Sequence, residues 1–195
     1  MGLAKVHDVS RGVPLLVAAL GLSLLVSGGW IHAKAALAQL LLERAWQRTR
    51  GGETNVRPWP WADTWPVARL EIPRLDASMI VLSGASGRTL AFGPGLTQGT
   101  AQPGEPGTAI ISGHRDTHFA AMRELQQGDT LRVERMDGLR VRYEIVALEV
   151  VDSRSARLRA ASAGRALVLV TCWPFDALMP GGPLRYVATA RSVPF

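Results

Sequence analysis

Cys172 is the single cysteine of the chain and closes the apolar run Ala166-Leu-Val-Leu-Val-Thr-Cys172. A thiol can fill a core, hold a metal or act as a nucleophile. The last use needs a thiolate, a proton partner, and a donor for the oxyanion that forms when sulfur attacks a carbonyl. His114 ends a second apolar run, Gly107 to His114, and the polar Arg115-Asp116-Thr117-His118 follows it. If both runs are strands that finish at one rim, imidazole and thiol meet there and the histidine can carry the proton. Arg185 lies at the start of a third run, Leu184 to Val193, behind a tight Pro180-Gly181-Gly182-Pro183 loop that runs back from the cysteine. Its planar fork of donors suits a carbonyl or oxyanion better than a lysine would. Each residue also has an ordinary use: a buried cysteine, a capping histidine, a solvated arginine paired to a carboxylate.

Two other chemistries draw on the same residues. His114, Asp116 and His118 alternate, so on a continuing strand they would share a face and form a metallohydrolase site, with Cys172 as a further ligand. Against it, only His7 and His32 remain, both in or beside an apolar N-terminal segment, and Arg115 would crowd a cation. The other alternative is a non-catalytic, membrane-tethered β-domain that binds a partner through a Trp-rich segment and buries Cys172. A lone cysteine also excludes an intramolecular disulfide.

The elements that must position these groups are mostly strands. Val67 to Ile72, Ala77 to Ser83, Gly107 to His114, Asp129 to Arg135, Arg140 to Val151, Ala166 to Cys172 and Leu184 to Val193 are β-branched or alternating runs. Gly-Pro and Asp-Gly punctuation separates them, and Met136-Asp137-Gly138 is the clearest hairpin signal. The one helical candidate in this region is His118 to Gln127. The charged stretch Asp152 to Arg165 is too short for a large helical insertion. The fold class is therefore all-β, a closed barrel with one or two short helices.

Residues 12–31 run without a charge and are long enough, at about 20 residues, to cross a hydrocarbon core as a helix. Pro14 lies near the start of this span and Trp30 near its end. The expected organisation is an N-terminal tail at 1–11, a transmembrane helix at 12–31, a helical stem and Trp/Pro-rich linker at 32–66, and the β-domain at 67–195. The basic last turns of the stem are expected to meet lipid. The segment Arg57 to Pro66 is extended, either docked on the domain or the membrane interface or acting as a linker. Of the net charge of +6, +4 belongs to residues 1–50, so most of the basic excess flanks the span and nucleic-acid binding is excluded for the main domain. Lys34, Arg44, Arg48 and Arg50 behind the span outnumber Lys5 and Arg11 before it, which by charge alone would place the C-terminal domain in the cytoplasm.

The stretches Ser112-Gly-His-Arg-Asp-Thr-His-Phe119, Leu167-Val-Leu-Val-Thr-Cys-Trp-Pro-Phe175 and Gly181-Gly-Pro-Leu-Arg-Tyr-Val-Ala-Thr-Ala190 resemble the His, Thr-Cys and Arg motifs of the sortase family, in that family's order. The likeness covers Val67 to Phe195. The Trp-Pro segment and Leu90-Ala-Phe-Gly-Pro-Gly95 are similar to the small Gram-negative branch. The resemblance implies a barrel of about eight strands and a cysteine transpeptidase with Cys172 as nucleophile, His114 as general acid and base, and Arg185 holding the signal and its oxyanion. It implies a secreted protein substrate with an LPxTG-like C-terminal signal, and a thioacyl intermediate resolved by water or by an amine not identified by the sequence. No cofactor and no metal are expected. The place implied is the bacterial inner membrane, single-pass, with the catalytic domain on the periplasmic side, opposite to the charge count.

Overall fold

The computed structural model describes residues 9–156, 164–177, 179 and 181–194. Most of the expected N-terminal tail, the middle of the charged stretch before Arg165, and Leu178 and Pro180 lie outside the described residues. The chain forms two compact units, Met1–Leu40 and Leu41–Phe195. Helix α1 (Val9–Arg50) is one uninterrupted element of 42 residues, so the expected span and stem are a single helix, and Pro14 stands inside it rather than at its first turn. In the first unit Leu15, Leu16 and Val17 are each more than 60% exposed, with Leu16 at 72%. The helix is long and apolar enough to cross a bilayer, with a mean hydropathy of 1.9 in its most apolar window. The ammonium of Lys34 lies 5.0 Å from the centre of the Trp30 ring, a pairing suited to the headgroup level.

The second unit is a closed eight-stranded barrel. Its strands are β1 (Pro66–Ile72), β2 (Ala77–Ser83), β3 (Gly95–Leu96), β4 (Gly107–Ser112), β5 (Thr130–Arg135), β6 (Arg140–Asp152), β7 (Arg165–Cys172) and β8 (Leu184–Val193). Around the barrel they run β1-β2-β3-β4-β7-β8-β6-β5, with β5 closing on β1. The β2–β3 and β4–β7 pairs are parallel and every other pair is antiparallel. All seven expected strands form, because their β-branched runs alternate toward one interior. Leu70, Ile72, Val81, Ile111, Leu131, Val133, Ile145, Leu167, Leu169 and Ala188 fill it, all at 0% exposure. The Met136-Asp137-Gly138 signal does make the β5–β6 hairpin: Gly138 adopts φ 81° there, and Arg135 and Leu139 are joined by a backbone hydrogen bond.

Two features are not marked locally in the sequence, and a third differs from expectation. β3 is only two residues long and exists through its pairing with Leu82 and Ser83 on one side and Ile111 and Ser112 on the other. A short helix α2 (Gly87–Leu90) starts where the Ser86 hydroxyl accepts from the Thr89 amide. The helix expected over His118 to Gln127 shrinks to a 3-10 helix, Ala120–Glu124, because the chain turns at Gly128 (φ 89°) and the Asp129 carboxylate takes the Gln126 amide at 2.8 Å.

The end of α1 docks on the outside of β2. Leu42 and Trp46, at 1% and 0% exposure, pack with Ile80 and Leu82, and Trp59 and Phe92 close over them. The basic last turns therefore do not all face lipid. Arg50 meets the buried carboxylate of Glu134 at 3.2 Å, Glu43 meets Arg69 at 2.7 Å, and Arg48 meets Glu53 at 2.5 Å. Within the Trp-Pro segment Trp59 stacks edge-on to Phe92 at 4.7 Å and Trp65 packs on the barrel core, so this segment is docked on the domain, while Trp61 stays 82% exposed.

The Trp46 indole N–H is buried and has no hydrogen-bond partner among the described residues. Trp46→Ala should destabilise the full chain by about 3–5 kcal/mol through loss of packing. Trp46→Phe should cost far less, because it removes a buried unsatisfied donor worth about 1–3 kcal/mol. Denaturant unfolding in detergent, followed by far-UV circular dichroism, checks both; equal losses in the two variants would contradict this account.

Candidate active site

Parallel strands β4 and β7 send their C-terminal ends to the same rim, and β8, antiparallel to β7, begins there. Ser112 pairs with Val170, and the Gly113 amide donates to the Val170 carbonyl at 3.1 Å. The buried Thr171 hydroxyl donates to the Gly113 carbonyl at 2.8 Å. His114 is the next residue, and Cys172 is the residue after Thr171. Across the antiparallel pair, Cys172 stands directly opposite Arg185. Paired residues of adjacent strands lie about 5 Å apart at Cβ and share a face. The structure thus brings the two side chains Cys172 and Arg185 to one face, and brings the His114 backbone alongside the end of β7.

That face is the outside of the barrel wall. Leu167, Leu169, Ala188 and Ala190 belong to the interior, so Val168, Val170 and Cys172 of β7, with Arg185, Val187 and Thr189 of β8, point the other way. On β4, Ala109 and Ile111 are interior, which leaves Ile110 and Ser112 on the same outer face. A largely apolar strip of small and branched side chains therefore leads to the thiol. Cys172 is half-buried, not enclosed, and His114 is exposed.

His114 does not lie within a strand: β4 ends at Ser112, two residues earlier than expected. The reason is Gly113. A Cβ there would stand 2.7 Å from the fully buried Phe119 ring, so the chain at Gly113 runs flush against that ring. Phe119 also returns its amide to the His114 carbonyl at 3.0 Å. Residues 114 to 119 are consequently a turn, and the alternation that would have put His114, Asp116 and His118 on one strand face does not occur. Among the described residues no group of three His, Cys, Asp or Glu side chains is arranged to hold a metal. The partner-binding alternative, which buried Cys172, fits poorly with a half-buried thiol; of its Trp-rich segment, Trp59 and Trp65 are packed on the domain while Trp61 is exposed.

Of the two histidines of the turn, His118 is the less exposed. Burial, and to a lesser degree the nearby charge of His114, pushes the His118 imidazole below its ordinary value, so His118 is neutral at pH 7. Arg185 donates through Nη1 to the carbonyls of Gly182 at 2.6 Å and Leu184 at 2.8 Å, which fixes its orientation along the loop. On β6, Val151 is paired with Arg185, and Asp152 is the next residue. The Arg154 side chain and amide hold that carboxyl down at about 2, with the Arg185 charge adding to the effect, so Asp152 is ionised throughout the physiological range. Beside the cysteine, Trp173, Phe175 and Tyr186 form a cluster, with Trp173 stacked on Tyr186 at 5.8 Å and Phe175 edge-on to Tyr186 at 5.3 Å.

Arg115 was visible in the sequence only as a cation that would crowd a metal. In the structure it is 7% exposed and donates to the carbonyls of Pro174 and Ala177 at 2.7 and 2.8 Å. Nothing in a single sequence distinguishes such a buried arginine from a solvated one beside a histidine.

A closed eight-stranded barrel that presents a cysteine, an arginine and a histidine at one rim defines a class with known members. Residues 70–193 match the model of the sortase domain. The chain is 34% identical over 125 residues to Sortase D of Bacillus subtilis (strain 168), a match covering 64% of this chain and 62% of that relative's length. Among solved structures, sortase C-1 from Actinomyces oris is 30% identical with a TM-score of 0.58, over 67% of this chain and 76% of that one. Sortase A from Corynebacterium diphtheriae, a lid mutant, shares the fold at 23% identity with a TM-score of 0.62, over 82% of this chain and 95% of that one. The chain belongs to the sortase family.

The lowered His118 sets a pH dependence. The unfolded chain, with an ordinary histidine near 6.5, binds a proton that the folded chain refuses, so stability falls as pH drops through about 6.5. His118→Gln should flatten the melting temperature between roughly pH 7.5 and 5.5 relative to the wild-type chain. Identical pH slopes would show that His118 is not the group responsible.

Proposed function

We propose that this protein is a membrane-anchored cysteine transpeptidase that cleaves an LPxTG-like sorting signal in a secreted protein and passes the acyl group to an amine or to water. The observation that carries the reading is the direct cross-strand opposition of Cys172 and Arg185, with His114 leaving the neighbouring parallel strand at the same rim. A Clostridium perfringens relative of the same fold is itself described as a sortase D5 transpeptidase.

The extended signal peptide lies along the outer strip of Ile110, Ser112, Val168 and Val170 toward the thiol. Cys172 loses its proton to His114, and the sulfur attacks the Thr carbonyl carbon of the signal. The carbonyl oxygen becomes an oxyanion held by the part of the Arg185 fork turned away from its own loop. The C–N bond to the following Gly breaks, and His114 returns the proton to the leaving amine. An incoming amine or water then attacks the thioester carbon and gives its proton to His114. The C–S bond breaks and Cys172 is restored. The substrate being a secreted protein, the domain faces the extracytoplasmic side, with α1 as the anchor.

Full-length protein in detergent, incubated with LPxTG-like peptides and analysed by intact mass, should gain a peptide-derived acyl group that Cys172→Ala abolishes. His114→Ala and Arg185→Ala should slow acylation by about 100- to 1000-fold while leaving the fold intact. Because Cys172 is the only thiol, a membrane-impermeant maleimide added to cells should label it once the outer barrier is opened. A folded protein that forms no adduct with any such peptide, and whose thiol resists alkylation, would sink the reading; labelling only after inner-membrane lysis would reverse the orientation.

A further inference from the structure

His114 and Cys172 are each bracketed by cross-links between the same two segments. One residue before each of them, the Thr171 hydroxyl donates to the Gly113 carbonyl at 2.8 Å. Beyond them, the guanidinium of Arg115 donates from Nη1 to the Pro174 carbonyl at 2.7 Å and from Nη2 to the Ala177 carbonyl at 2.8 Å. The two acceptors belong to one turn, because the Ala177 amide itself donates to the Pro174 carbonyl. A planar fork can meet two such carbonyls at once, whereas an ammonium is a single point of charge.

A guanidinium is a costly way to fill this space. Arg115 is 7% exposed, and its nearest carboxylate, Asp116 at 3.3 Å from Nε, has a side chain 69% exposed, so water screens that attraction. Its other partners are the two carbonyls, in part-buried hydrogen bonds. An apolar side chain of similar volume would bury without the desolvation penalty but would leave both carbonyls unattached. We propose that Arg115 is a positioning residue that holds the chain leaving Cys172 against the chain leaving His114, and so sets the alignment of thiol and imidazole. This rests on the reading of those two residues as the reacting groups.

The test compares Arg115→Met and Arg115→Lys with the wild-type full chain in detergent, at a temperature well below melting. Three quantities are measured: the single-turnover acylation rate with an LPxTG-like peptide, the rate of Cys172 alkylation by iodoacetamide, and amide hydrogen exchange over residues 173–177. Misalignment of reacting groups should slow acylation by roughly 10- to 100-fold. Alkylation at about pH 10, where a thiol ionises without a base beside it, should proceed at the wild-type rate, and exchange should rise locally. Wild-type acylation in a folded variant would overturn the proposal. So would a loss of acylation matched by slower alkylation and by a rise in exchange across the whole barrel. If Arg115→Met does not fold, Arg115→Lys decides, since it keeps the charge and the aliphatic stem but meets one carbonyl at a time. If the wild-type chain itself forms no adduct, the transpeptidase reading fails separately. Unchanged protection of 173–177 in folded variants would then overturn the clamp, and raised exchange would uphold it.

Discussion

Parallel pairing of β4 with β7 is the constraint from which the arrangement of the rim follows. An antiparallel pair would have put the end of one strand beside the start of the other, and His114 and Cys172 at opposite ends of the barrel. In the parallel register Thr108 to Ser112 run beside Ala166 to Val170, so both chains arrive together. Parallel neighbours need a long connection. Here the connection is residues 113–164, which hold the turn after His114, the β5–β6 hairpin and the return along β6. β8 then enters antiparallel to β7, and the strand register sets Arg185 opposite Cys172.

What lies just beyond the strand ends is fixed less by the sheet than by packing. Gly113 admits no Cβ because the Phe119 ring occupies that position, and Phe119 is held in turn by the interior that includes Met122 and Leu125. The histidine turn is therefore pinned from beneath by an apolar contact and from the side by Thr171. The cysteine loop is pinned by its aromatic cluster, in which Phe175 and Tyr186 reach the same interior. Rigid elements position the groups, and the segments that carry them are short.

The wall of the barrel was legible because its strands announce themselves locally: Ala166 to Thr171 and Gly107 to Ser112 are apolar runs bounded by turn residues. β3 was not, since two residues carry no periodicity and Gly95 and Leu96 are strand only by virtue of their neighbours. The end of β4 was misplaced by two residues because the apolar run Thr108 to Ile111 was read on through Ser112-Gly113 to His114; the turn is imposed at Gly113 by the Phe119 ring. Trp46 looked like one more residue on a stem, and its burial comes from Ile80 and Leu82, distant in sequence. The candidate site was legible from three motifs in order rather than from any single residue, since Cys172, His114 and Arg185 each have a commoner use when taken alone. Arg115 could not be found this way, because its partners are backbone carbonyls, which every sequence supplies.

The placement of buried charge supports the same division. Among the described residues three charged side chains are buried: Arg115, Asp129 and Glu134. Each joins segments remote in sequence and each has several partners. Glu134 takes Arg50 from α1, Arg69 from β1 and Arg140 from β6, at 3.2, 3.8 and 3.5 Å. Asp129 accepts from Nε and Nη2 of Arg74 at 2.6 and 2.8 Å and from the Gln126 amide, and Arg74 also reaches the Glu124 carbonyl. By contrast, Arg48–Glu53 and Arg154–Asp152 link near neighbours and have arginines that stand in water, 60% and 76% exposed. Such exposed pairs contribute little, whereas a buried charge that loses a partner leaves a large uncompensated cost. The buried three therefore act less as sources of net stability than as geometric constraints, since displacement of any one segment strands a charge. One fixes the end of α1 to the barrel and one fixes the approach to β5. The third, Arg115, is the one that spans the rim.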